Sequence, residues 1–205
     1  MSILTLIIIV LTAVGVVFGI LWGLKRGLNH SLLRLVIIIG CAVGAIFLCQ
    51  PLAKGLMEFQ IGDATLPEMF IGDVASEDEM VMNLLAVQVM FTVLSYLIIF
   101  GLLRLLSWLT VFPILKIFIK KDLIKKRLFG MLVGFIQGLV IAFVVLTPLS
   151  CMFSTLNEYA KLPLESNVAK STFGDMGLTE HAESGIGGFY ASIGGWYYEL
   201  IMERR

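Results

Sequence analysis

Charge is scarce in this chain, at 15% of 205 residues, against ~25% in soluble domains. Acids are missing altogether from four long stretches, so the proton-relay carboxylates that pumps carry inside the membrane are not expected. There are two histidines, His30 and His181, and three cysteines. Cys41, Cys49 and Cys151 all lie within apolar runs, which excludes an extracellular disulfide framework and marks them as small buried residues. No Gly-x-Ser-x-Gly, His-Glu-x-x-His or Walker glycine loop occurs, so the nucleophile elbow, the zinc protease helix and the nucleotide cradle have no candidates. The chain reads as a non-enzyme without cofactor or metal.

What the chain has is apolar length. Hydrophobic residues make up 59% of it, and the mean hydropathy is +0.96. The uncharged runs Ile3–Leu24, Leu35–Ala53, Val81–Leu103 and Leu128–Phe153 each approach or exceed the ~20 residues needed to cross ~30 Å of hydrocarbon. The expectation is an all-α integral membrane protein with four transmembrane helices at about 3–24, 32–53, 81–105 and 128–153, together a membrane domain over 1–153. Only Met1 and Ser2 precede the first run, and a basic n-region is missing. That argues against a secretory signal peptide.

Formal net charge is zero, yet the charges are segregated. Lys25, Arg26 and Arg34 flank the first connection with no acid. Arg104, Lys116, Lys120, Lys121, Lys125, Lys126 and Arg127 face one acid, Asp122, in the third. The loop 54–80 sets Lys54 alone against seven acids, and the segment after the fourth run, 154–205, is acidic too. By the positive-inside rule the basic connections are cytoplasmic, which places both termini outside. The two histidines then fall on opposite sides. Residues 111–127 alternate apolar side chains with Lys116, Lys120, Lys121, Lys125, Lys126 and Arg127, the pattern of an interfacial helix facing anionic headgroups. Nothing there interleaves aromatics with charge as a nucleic-acid surface would. Glu77-Asp78-Glu79 reads as a solvated loop, because no EF-hand spacing surrounds it. The Gly- and aromatic-rich tail suits a membrane–water interface.

Glycines supply the packing signal. Gly15, Gly19, Gly23 and Gly27, and again Gly130, Gly134 and Gly138, recur every fourth residue and so share one helical stripe. In water each would cost ~1 kcal/mol against alanine, but in a bilayer they let helix backbones approach closely, the basis of a glycine zipper. Gly40 and Gly44 offer a shorter step of the same kind. Gln88, Thr92 and Ser95 share a face of the third helix, and Gln137 lies beside the stripe of the fourth. Hydrogen bonding between helices is their main reading; a polar pathway is the alternative.

Gly23-Leu-Lys-Arg26-Gly27-Leu28, then Gln50-Pro51-Leu52-Ala53, then Arg127-Leu-Phe-Gly130-Met-Leu-Val-Gly134-Phe-Ile-Gln137-Gly138 resemble the colicin V production protein family over about residues 1–150. The motif residues are Arg26, Gly27, Gln137 and Gly138. Two departures stand out. The family's early acid in the first helix is absent from Ser2–Val10, and Gln137 stands where the second motif has arginine. The resemblance implies a multi-pass bacterial inner-membrane protein linked to colicin production or export, or to envelope maintenance. Its partners would be membrane lipids, unidentified envelope proteins or further copies of itself, and not nucleic acid. The alternative is a small-solute or ion channel formed by the glycine-packed bundle.

Overall fold

The computed structural model describes residues 2–71, 76–111, 113, 124–161 and 177–203. Four helices in it are long and apolar enough to cross a membrane. They are α1 (Ile3–Arg26), α2 (Leu28–Glu58), α4 (Glu77–Leu109) and α5 (Ile124–Lys161). A short helix α3 (Leu66–Ile71) lies in the loop before α4, and α6 (Leu178–Ala182) and α7 (Gly185–Met202) close the chain. The proposed interfacial helix at 111–127 falls mostly outside the described residues. Of that segment, 124–127 form the first turn of α5.

Helices α2, α4 and α5 outrun their apolar stretches at both ends, and α1 at its C-terminal end. Pro51, near the end of the second apolar run, sits inside α2. A proline removes one backbone hydrogen bond, which packed membrane helices tolerate because neighbours hold the segment. The first connection shrinks to a single residue. Gly27 has φ of +83°, a left-handed conformation open to glycine without steric cost. Its N–H donates to Gly23 at 3.0 Å, and its carbonyl accepts from Ser31 N–H at 3.2 Å and from Ser31 Oγ at 2.9 Å. One residue thus caps α1 and opens α2, which gives the Arg26-Gly27 step its physical meaning.

Residues 60–71, between α2 and α4, form a two-stranded turn and a short helix. Gln60–Ile61 pairs antiparallel with Ala64–Thr65, turning at Gly62, where φ is +70°. Thr65 N–H donates to Glu68 at 2.6 Å, half of a capping box for α3, and this bond holds the Glu68 carboxyl below its ordinary range. Ser76 caps α4 by accepting from Glu79 N–H at 3.3 Å. Glu77, Asp78 and Glu79 therefore form the first turn of α4, where negative charge complements the helix dipole. The cluster read as a solvated loop is a helix start.

The chain divides into two compact units. One unit takes Met1–Ile7, Ile46–Tyr96 and Thr147–Arg205. Its core gathers Cys49, Ala53, Val87, Met90, Phe91, Tyr96, Met152, Leu156 and Ile201, all buried. Helix α7 docks there by Tyr190, Gly194, Tyr197 and Ile201, spaced i, i+4, i+7, i+11 on one face. Gly194 lies against Thr147, where an added Cβ would collide with the threonine methyl. The hydroxyls of Tyr96 and Tyr197 hydrogen-bond, and Gln50 Nε2 donates to the Ile201 carbonyl at 2.8 Å.

The second unit takes Ile8–Ala45 and Leu97–Leu146. Here α1 and α5 run antiparallel, with Gly15 against Gly138, Gly19 against Gly134 and Gly23 against Gly130. A Cβ on Gly138 would come within 2.7 Å of the Gly15 carbonyl oxygen, and one on Gly130 within 2.7 Å of the Gly23 oxygen. Backbone rests on backbone through three successive turns. Outward, Val10, Leu11, Val14, Val17, Phe18 and Leu21 of α1 are exposed. So broad an apolar surface is what a lipid-facing helix presents.

Candidate functional site

Beside the glycine seam the second unit holds a cavity of about 510 Å³. Gly15 and Gly19 contribute bare backbone to its wall, and Arg34, Arg104, Ser107 and Gln137 supply polar groups. Trp22 and Trp108 add aromatic faces. Arg34 is 6% exposed, and its guanidinium lies over the Trp22 ring at 4.4 Å from the centroid. Arg26, one turn after Trp22, lies over the same ring at 5.1 Å. Such cation–π contacts stabilise by ~0.5–2 kcal/mol, more when desolvated. The local reason is helix geometry: Trp22 and Arg26 are i, i+4 neighbours, and the one-residue joint at Gly27 folds Arg34 back toward them. Cys41 Sγ and Ser107 Oγ, 3.4 Å apart, link α2 to α4. Two fixed positive charges with an amide and a hydroxyl form a wall suited to an anionic group.

The residues of the suggested polar pathway are distributed. Gln137 is buried and lines this cavity. Gln88 and Thr92 line a pocket of about 440 Å³ with Gln50, Lys54 and Met57 in the first unit, and Thr92 Oγ1 donates back to the Gln88 carbonyl at 2.8 Å. Ser95 is fully buried, and its hydroxyl has no hydrogen-bond partner among the described residues. Of the packing glycines, a Cβ added at Gly44 would meet Leu103 at 3.1 Å, whereas nothing lies within 4 Å of one at Gly40. Lys116, Lys120 and Lys121 lie outside the described residues, as do the side chains of Lys125 and Lys126. Arg127 is exposed on α5.

In the sequence, Arg34 and Arg104 stand out only as topology signals, and Trp22 belongs to no motif. The available signal was their position, since each arginine lies a few residues inside a helix end rather than in a loop. A second unforeseen feature is His181. It is fully buried, with Nδ1 3.0 Å from Thr5 Oγ1 and Nε2 2.9 Å from Ser150 Oγ. Phe153 meets it edge-on. Burial holds its imidazolium below the ordinary pKa. Among the described residues no group of three His, Cys, Asp or Glu is placed to hold a metal.

The family model described as colicin V production protein matches residues 4–173. The match runs further than the about 150 residues carried by the motifs, to beyond the end of α5, and leaves α6 and α7 outside. No curated protein matches, and no solved structure matches. With four membrane-spanning helices and a match over most of its length, the chain belongs to the colicin V production protein family.

Proposed function

We propose that this protein serves toxin production or export, or maintenance of the envelope, as a non-enzymatic multi-pass protein of the bacterial inner membrane. It works through lipid and protein contacts. The basic ends of the spans face the cytoplasm, and the acidic loop and the C-terminal helices face outward. The observation that carries this reading is the Arg34–Trp22–Arg104 wall. It gathers positive charge inside a helix bundle whose outer faces are apolar, an arrangement for holding an anionic membrane component.

In-cell photo-crosslinking from exposed positions Phe59 and Trp196, read by mass spectrometry, tests the partner side of the proposal. A reproducible secretion or envelope protein is the expected result. Capture of this chain alone would contradict it and point to a homo-oligomeric assembly. Under the same reading, purified protein in sealed vesicles leaves them impermeable to ions and small solutes.

A further inference from the structure

We propose that the cavity of the second unit binds the phosphodiester headgroup of an anionic phospholipid, which enters from the side of the bundle. Four observations converge on this ligand. The polar groups lie inside: Arg34 and Gln137 are both 6% exposed, and Arg104 and Ser107 line the same space. The rim is apolar and open: Phe18, Leu105 and Trp108 are 62%, 53% and 57% exposed, so acyl chains can lie along it while the headgroup turns inward. Gly15 and Gly19 keep the wall free of side chains, leaving about 510 Å³, within the ~300–1,000 Å³ of small-molecule sites. Finally, Arg34 lies within two turns of the start of α2 and Arg104 within two turns of the end of α4, on the side where α1 ends in Lys25 and Arg26, near headgroup depth.

Guanidinium groups match phosphate oxygens in a forked geometry, and basic pockets between membrane helices are headgroup sites. A free phosphate shares that chemistry but makes no use of the open apolar rim. The inference rests on the reading that the protein works through lipid contacts. Its test needs no cellular partner, so its failure is separable from a failure of the crosslinking above.

Two of the three tryptophans, Trp22 and Trp108, line the cavity. A Trp196→Phe version of the full chain therefore reports on the site by fluorescence. It is reconstituted in phosphatidylcholine vesicles containing either brominated phosphatidylglycerol or brominated phosphatidylcholine. Phosphatidylglycerol should quench at about fivefold lower mole fraction. Arg104→Gln should remove that preference, and Arg104→Lys should keep it. Arg34→Gln should act as Arg104→Gln does; if it fails to fold, the Arg104 pair decides alone. Equal quenching by the two lipids, or a preference that survives Arg104→Gln, overturns the proposal. Relief of quenching by millimolar inorganic phosphate also overturns it, by assigning the site to a free anion.

Discussion

His181 shows what a single side chain contributes to docking the C-terminal helices. Both ring nitrogens lie within hydrogen-bond distance of hydroxyls, Thr5 on one side and Ser150 on the other, and Thr5 in turn meets Ser2 at 2.7 Å. Its folded pKa lies below the ordinary 6.5 because burial disfavours the cation. The unfolded chain therefore binds the proton more readily than the folded one. The stability this confers is fully present above about pH 6.5 and is lost as pH falls toward the folded value. Thermal unfolding in detergent should show the melting temperature falling as pH drops from 7.5 to 5, with a flatter profile for His181→Asn. Identical profiles would remove the histidine from this role. Ser95 presents the opposite case, a buried hydroxyl without a hydrogen-bond partner among the described residues. Replacing such a group by a methyl relieves a desolvation cost of ~1–3 kcal/mol, so Ser95→Ala should melt no lower than the parent, and a clear drop would show an unseen partner. Neither residue's setting was legible beforehand. His181 is 31 residues from Ser150 and 176 from Thr5, and no periodicity within one helix encodes such meetings.

At the scale of elements the decisive contact is the seam between α1 and α5. The four-residue spacing places each set of glycines on one stripe, and that much is written in the sequence. Both stripes also lie toward the basic ends of their helices, which points to α1 and α5 as the close pair without saying whether they meet within one chain; the structure seats them against each other. The structure also separates glycines that spacing alone groups together. A Cβ at Gly134 would press into the Gly19 backbone, whereas one at Gly40 meets nothing within 4 Å. Gly134→Ala should therefore destabilise by about 1–3 kcal/mol through overpacking. Gly40→Ala should be neutral or gain up to ~1 kcal/mol from helix propensity. Unfolding of the two variants side by side checks this, and equal losses would contradict it. Helix ends were harder to read than helix cores. Apolar runs report the thickness of hydrocarbon, while α2, α4 and α5 continue through polar residues by means of caps such as Ser76 and neighbours that hold Pro51.

For the whole molecule, the number of spans follows from length and hydropathy, and the segregation of lysine and arginine predicts a direction of insertion with both termini outside. Site-directed labelling tests the direction. With Cys41, Cys49 and Cys151 replaced by alanine, Glu203→Cys should react with a membrane-impermeant maleimide in intact spheroplasts, and Arg127→Cys only after lysis. The reverse pattern would invert the topology. The cavity was less legible than the spans, because its wall draws on α1, α2, α4 and α5 at once. The most direct test of the architecture is whether α1 and α5 meet within a single chain. Gly15 and Ile141 both line the cavity, so Gly15→Cys and Ile141→Cys in the alanine background, treated with a short bismaleimide in native membranes, should link. The expected product runs as a monomer, and mass spectrometry finds the linked peptides on one polypeptide. Linked dimers alone, or no link at all, would contradict a seam closed within the chain.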